Sequence, residues 1–139
     1  MLTKDLLFTV VSGWAVLTVL AAAITAAYLL RQPVTATGPR QRTAHRTRMR
    51  PHFWLGLAIP VLALAHAWPA MTGGSITHAN QVGIDLASVA FLAAVSQAAL
   101  GARLRKTSTG RLRHAHRYTM IAIVFLAIGH IVLNSTLVR

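Results

Sequence analysis

The chain alternates between long apolar stretches and short polar segments, and it has four apolar stretches in all. Each reaches about 20 residues, the length that a helix needs to cross the hydrocarbon core of a bilayer. Because backbone polar groups must be satisfied internally in lipid, apolar runs of this length favour helices over barrel strands. The pattern predicts helices at approximately 6–30, 53–71, 82–104 and 117–137. We therefore expect residues 1–139 to form a single all-α domain, an integral membrane four-helix bundle.

The composition supports this prediction. Hydrophobic residues make up 55% of the 139 residues and charged residues only 12%, with a mean hydropathy of +0.55. A soluble domain of this size needs more polar surface than this composition supplies. The absence of cysteine excludes disulfides, thiolate metal sites and the covalent attachment of a c-type haem.

Positive charge is concentrated in two of the polar segments. The formal net charge is +12, and most basic residues lie between the first and second apolar stretches or between the third and fourth. These residues are Arg31, Arg40, Arg42, Arg46, Arg48, Arg50, Arg103, Arg105, Lys106, Arg111, Arg113 and Arg117. The positive-inside rule places both segments in the cytoplasm and both termini outside, and we expect the prokaryotic cytoplasmic membrane. Basic segments also suit anionic lipid headgroups, so we expect membrane lipids as partners and no nucleic acid.

Four histidines form two pairs with the same spacing. His66 follows His52 by fourteen positions, and His130 follows His116 by fourteen. Fourteen helical residues rise by roughly 21 Å and return to nearly the same face of the helix. Histidine inside a membrane is energetically unfavourable and usually functional. Two such helices side by side would present two facing histidine pairs, the arrangement that holds two bis-histidine b-type haems.

The predicted topology assigns one histidine pair to each side of the membrane. His66 and His130, here called the outer pair, would ligate an outer haem; His52 and His116, the inner pair, would ligate an inner haem. His114 competes with His116, but its spacing from His130 leaves it roughly 160° away around the helix. Two axial histidines per iron favour electron transfer over oxygen binding.

Charged residues near the histidines are candidates for secondary roles. Arg50, Arg113 and Arg117 are close in sequence to the inner pair, and guanidinium groups pair well with carboxylates such as haem propionates. A topology signal explains any one of these arginines equally well. His78 and Asp85 are near the predicted outer face, where an imidazole and a carboxylate would bind a quinol and carry its protons. A solvated loop histidine and a helix-start carboxylate are the favoured interpretation.

The two histidine-bearing segments, PHFWLGLAIPVLALAHAW and HRYTMIAIVFLAIGHIVLN, resemble the haem-carrying helices of di-haem cytochromes b. They are similar to those of the respiratory bc-complex cytochrome b and of the ferric reductase-like transmembrane core, where two helices each supply two haem ligands. The resemblance covers about half of the chain and implies two haem b groups. Those families have larger membrane cores, and the reductases carry flavin and nicotinamide domains that 139 residues cannot hold. We therefore expect a minimal haem carrier or a subunit of a larger redox complex.

The leading prediction is electron transfer across the membrane, with a redox partner protein or a quinone as partner. Three alternatives stay open. The chain could be the haem-bearing anchor of a quinone-linked dehydrogenase. It could be a non-redox structural subunit whose histidines only form hydrogen bonds between helices. It could also carry protons or divalent metals, although Asp85 is the only candidate for an intramembrane carboxylate.

Overall fold

The computed structural model describes residues 4–30, 47–72 and 81–137. These residues form four long helices, each long and apolar enough to cross a membrane. The helices are α1 (Lys4–Leu29), α2 (Arg50–Thr72), α3 (Gln81–Lys106) and α4 (Gly110–Leu137). The prediction of an all-α chain with four such helices is confirmed.

Helices α2 and α3 extend beyond their predicted limits, because polar residues that flank an apolar run can continue the helix. Helix α2 begins at Arg50 rather than at residue 53. Pro51 lies in its first turn, where the missing N–H is tolerated. Helix α3 continues to Lys106 rather than to residue 104. His52 therefore lies inside α2, where the helix orients its side chain.

Helix α4 begins at Gly110, seven residues before the predicted start at 117. The cause is the preceding residue, Thr109, whose Oγ1 accepts a hydrogen bond from the backbone N–H of Leu112 at 3.3 Å. A threonine hydroxyl in this position satisfies one of the unpaired N–H groups at a helix start. Because of this cap, His116 lies well inside α4.

The four helices form two antiparallel hairpins. Helix α1 packs along α2, and α3 packs along α4, while α2 and α3 share a smaller contact. Among the described residues, α2 and α4 have hardly any backbone contact with each other. Side chains of these two helices nevertheless meet, among them the four histidines.

The buried core is small, and all of it except Ala23, which lies at the level of the inner pair, is between the two histidine levels. It consists of Leu20, Ala23, Ile59, Ala94 and Ile123. Ile59 is midway in sequence between His52 and His66, and Ile123 is midway between His116 and His130. An aliphatic layer thus separates the inner pair from the outer pair.

The outer surface of the helices carries large apolar side chains. Trp14 is 68% exposed, Tyr28 77% and Phe125 70%. Soluble proteins rarely expose large contiguous apolar patches. A surface of this kind suits lipid rather than water.

Candidate functional site

The four histidines meet in two pairs between α2 and α4. In the inner pair, the ring centroids of His52 and His116 are 6.2 Å apart and the ring planes are at 83°. In the outer pair, those of His66 and His130 are 6.3 Å apart with the planes at 89°. Each pair joins one ring from each hairpin. The same geometry therefore occurs twice, at two levels of the bundle.

The separation of the rings is ordinary for edge-to-face pairs, and it also matches the value expected for two imidazoles on opposite sides of one metal ion. A metal–nitrogen bond of ~2.0 Å and a nitrogen-to-centroid distance of ~1.1 Å, taken on both sides, place two ring centroids ~6.2 Å apart. The observed separations of 6.2 and 6.3 Å agree with this value.

The number of histidines at each level distinguishes a zinc site from a haem site. Each pair supplies two nitrogen ligands, and the described part of the chain has no group of three or more His, Cys, Asp or Glu residues that could hold a metal ion. A zinc site needs three or four protein ligands. Haem iron needs only axial ligands from the protein, because the porphyrin supplies the remaining nitrogens. Two facing histidines at each level thus match the number of axial ligands that a haem iron would take from the protein.

Backbone carbonyls of the neighbouring helix hold three of the four imidazoles. The Nδ1 atoms lie within hydrogen-bonding distance of carbonyl oxygens: His52 to Ala23 at 2.9 Å, His66 to Thr9 at 3.0 Å and His130 to Gly83 at 3.0 Å. Because a carbonyl oxygen can only accept, Nδ1 carries the proton and Nε2 keeps its lone pair. Metal-binding histidines typically donate their other ring N–H in this way.

The carbonyls repeat the fourteen-residue spacing of the histidines. Thr9 and Ala23 are fourteen positions apart, as are Gly83 and Gln97, so Gln97 is the expected partner of His116. The Gln97 backbone does lie near the His116 ring. This approach of the Gln97 backbone to the ring is not a hydrogen bond, because His116 Nδ1 has no hydrogen-bond partner within the described residues. The side chain of Gln97 makes a different contact, with its Nε2 3.4 Å from His116 Nε2.

Two further polar side chains contact the outer pair. Asn134 Nδ2 is 3.1 Å from His130 Nδ1 and 3.2 Å from His130 Nε2, and it also donates to the His130 carbonyl at 2.9 Å. Ser12 Oγ is 3.2 Å from His66 Nδ1 and donates to the carbonyl of Phe8 at 2.7 Å. Ser12, Gln97 and Asn134 are not among the candidate residues that the sequence pattern predicts. The signal for all three is a polar residue on an apolar helix.

Glycines on α1 and α3 make room for the rings. A Cβ atom on Gly13 would lie 3.1 Å from Cε1 of His66, which is closer than an ordinary contact. A Cβ atom on Gly101 would lie 3.6 Å from Cε1 of His116. Each glycine is on the helix that packs beside a histidine-bearing helix, Gly13 on α1 and Gly101 on α3. Because the distance at Gly13 is the shorter one, the ring of His66 has less space than that of His116.

The arginines predicted to contact propionates lie at the basic end of the bundle. Arg50, Arg113 and Arg117 are exposed there. The guanidinium of Arg105, which the sequence analysis treated only as part of the basic segment, lies 4.3 Å from the ring centroid of Phe53. Phe53 adjoins His52 in sequence, so Arg105 places a positive charge at the same end of the bundle as the inner pair.

The remaining candidates lie apart from the histidine pairs or outside the described residues. His114 is exposed and stacks with Tyr118 at a centroid distance of 6.3 Å, whereas His116 faces His52, as the helical angle predicts. Asp85 is exposed and accepts a hydrogen bond from Gln81 at 3.0 Å. His78, the other candidate for a quinone or proton site, lies outside the described residues.

No family model matches the chain, and no curated protein or solved structure matches it either. The fold and the candidate site are therefore described from the structure itself. It is an all-α bundle of two hairpins, with four helices apolar enough to span a membrane and two facing histidine pairs between α2 and α4.

Proposed function

We propose that the protein is a di-haem b-type cytochrome that carries electrons across a membrane. His66 and His130 would hold an outer haem, and His52 and His116 an inner haem. The observation that carries this proposal is that a ring from each hairpin faces the other at both levels, with centroids 6.2 and 6.3 Å apart, a spacing compatible with one iron ion between the two rings. A single pair of neighbouring histidines is common in helix packing, but two pairs with matching geometry at two levels favour two equivalent binding sites.

The hydrogen bonds around the imidazoles favour the same function. The bonds from Nδ1 to the carbonyls of Ala23, Thr9 and Gly83 fix the rings and keep Nε2 free of a proton. They also raise the basicity of Nε2 as a ligand. When bound, haem supplies an iron that gains and loses one electron reversibly. The protein's part is to fill both axial positions with histidine, which favours electron transfer over binding of oxygen.

The arrangement of the two levels supports transfer across a membrane. Within each histidine-bearing helix the two levels are fourteen residues apart, or roughly 21 Å along the helix axis. The buried side chains of Ile59 and Ile123 lie between them. An electron that enters at one level thus crosses an apolar layer to reach the other.

The membrane orientation follows from charge. Arg50, Arg113 and Arg117 belong to the basic end of the bundle, which the positive-inside rule places in the cytoplasm. The inner pair lies towards this end, and both termini would be outside, in the prokaryotic cytoplasmic membrane. Guanidinium groups at this end suit haem propionates or anionic lipid headgroups. The electron donor and acceptor would be a redox protein or a quinone at each face.

A structural membrane subunit is the second candidate, and one observation favours it. Three histidines form hydrogen bonds to carbonyls of neighbouring helices, and such bonds stabilise helix packing in membranes without a cofactor. This candidate explains the Nδ1 contacts. It also accounts for the ring separations, which are ordinary for edge-to-face pairs. It gives no reason for the same fourteen-residue histidine spacing on both α2 and α4, which the haem proposal explains.

Electron transfer across vesicles tests the proposal. Protein purified from a haem-supplied host is reconstituted into liposomes with ferricyanide trapped inside, and dithionite is added outside. We expect the wild-type protein to reduce the trapped ferricyanide, and His130→Leu to abolish this activity. His114→Leu is the matched control and should keep it. A wild-type rate equal to that of protein-free vesicles contradicts the proposal.

A further inference from the structure

The two hairpins share one register. Positions in α1 correspond to positions in α3 by an offset of 74 residues, which relates Thr9 to Gly83 and Ala23 to Gln97. Positions in α2 correspond to positions in α4 by an offset of 64, which relates His52 to His116. The same offsets relate the buried core residues, Leu20 to Ala94 and Ile59 to Ile123. The carbonyls, the histidines and most of the core thus occupy corresponding positions in the two hairpins, and this correspondence is the common plan of the bundle.

Two carboxamides depart from this plan, and both belong to the second hairpin. By the same offsets, Gln97 corresponds to Ala23, and Asn134 corresponds to Ala70 in the sequence. Each carboxamide places an N–H donor near the Nε2 atom of an α4 histidine. The distances are 3.4 Å from Gln97 to His116 and 3.2 Å from Asn134 to His130. The first hairpin has alanine at both positions.

The carboxamides create a difference between the two histidine-bearing helices. The hydrogen bonds of His52 and His66 all involve Nδ1, so their Nε2 atoms have no hydrogen-bond partner among the described residues. In α4, an amide nitrogen lies close enough to Nε2 to compete for its lone pair: that of Gln97 is 3.4 Å from His116 Nε2, and that of Asn134 lies over the His130 ring, 3.2 Å from Nε2 and 3.1 Å from Nδ1. That lone pair is also the one that binds a metal ion. An amide and an iron ion cannot use it together.

The contact made by Gln97 is weak enough to be displaced. At 3.4 Å its donor–acceptor distance is beyond the usual range for a hydrogen bond between nitrogen and an acceptor. Its Oε1 atom is buried without a hydrogen-bond partner in the described structure. A buried, unpaired polar atom raises the energy of the arrangement that contains it. A position of the Gln97 side chain away from His116 in which Oε1 is paired or solvated therefore has a lower energy.

We propose that Gln97 and Asn134 are placeholder donors. In the cofactor-free protein they lie against Nε2 of His116 and His130 and compete with iron for these atoms. They give way when iron binds, so the α2 histidines bind first and the α4 histidines complete each pair. This inference rests on the proposed haem function and adds an order of ligation and two positioning residues to it.

Nitrogen-15 NMR of the cofactor-free protein, labelled at histidine, tests the placeholder contacts without haem. We expect Gln97→Ala to shift the Nε2 resonance of His116 alone and Asn134→Ala to shift that of His130. Both variants reproduce the alanines of the first hairpin. Ser96→Ala, at an exposed residue next to Gln97, is the control and should shift neither resonance. If both amide variants leave their histidine resonances unchanged, the proposal is wrong.

Titration of the cofactor-free protein with haemin in detergent tests the order of ligation. Removal of a competing donor should tighten binding several-fold, at the inner pair for Gln97→Ala and at the outer pair for Asn134→Ala. Purely structural amides predict the opposite, weaker binding. We also expect His116→Ala to retain high-spin haem on His52, and His52→Ala to lose the inner haem. Equal losses in these two variants, or weaker binding in both amide variants, would overturn the proposal. If the wild-type protein takes up no haemin, the haem function itself fails, and the NMR result still decides the placeholder contacts.

Discussion

Gly13 offers a sharp test of how tightly the outer site is built. Helix α1 brings this residue against the ring of His66, and an alanine Cβ would lie 3.1 Å from Cε1 and 3.4 Å from Nδ1. The ring is held by the Thr9 carbonyl at 3.0 Å and lies 3.2 Å from Ser12 Oγ. It cannot move away from a new methyl group without stretching these contacts. Gly13→Ala should therefore misplace one proposed axial ligand.

The size of the effect follows from opposing contributions. Loss of a hydrogen-bond partner of a metal-binding histidine typically lowers metal affinity by about 10–100-fold, which is ~1.4–2.8 kcal/mol. In the helix itself, alanine is better than glycine by about 1 kcal/mol, and this offsets much of the ~1 kcal/mol of a lost hydrogen bond in the cofactor-free protein. We expect Gly13→Ala to leave the stability of that protein nearly unchanged. The affinity for the outer haem should fall by about one to two orders of magnitude.

The matched control is Gly101→Ala on α3. Its Cβ would lie 3.6 Å from Cε1 of His116, an ordinary van der Waals distance, so the inner site should keep its haem. Haem content per chain is measured by the pyridine haemochrome assay, and the unfolding midpoint is measured on the same preparations. An outer haem bound as tightly in Gly13→Ala as in the wild-type protein would refute this reasoning, as would equal losses in the two variants.

Three further predictions concern the inner end of the bundle. His116→Leu should convert the inner haem to a high-spin form with a shifted midpoint potential, and His114→Leu should keep both low-spin components, because only His116 faces His52; the same change of the inner component in both variants contradicts this assignment. Thr109→Ala should destabilise the protein by about 1 kcal/mol through loss of the α4 cap, so an unchanged unfolding midpoint would count against the cap. Arg105→Ala should weaken the packing of α3 on α2 by ~0.5–1 kcal/mol, because its guanidinium lies over Phe53. It should also lower the midpoint potential of the inner haem and not that of the outer haem, since it removes a nearby positive charge; equal shifts at both sites disagree with this placement.

The number and the class of the helices could be predicted from the apolar runs alone, because lipid-spanning helices must be apolar along their whole length. The polar ends of the helices could not be predicted in this way. The start of α4 depends on the hydroxyl of Thr109, which lies outside the apolar run. The same limitation explains why residues 53 and 117 were predicted as helix starts, each just after a candidate ligand.

The histidine pairs could be predicted because both the spacing and the helical angle are local properties of one helix. The groups that hold the rings could not, since they belong to neighbouring helices. Thr9 and Gly83 contribute only their carbonyls to His66 and His130, and a carbonyl has no sequence signature. The contacts of Gly13 and Gln97 likewise depend on how α1 packs on α2 and how α3 packs on α4.

The central claim is that each histidine pair holds one haem b. The most direct measurement is the ratio of haem to protein chain, by pyridine haemochrome, in protein purified from a host with an ample haem supply. The account predicts two haem b groups per chain for the wild-type protein, and one for His66→Leu and for His52→Leu. A stable, colourless wild-type protein would contradict it.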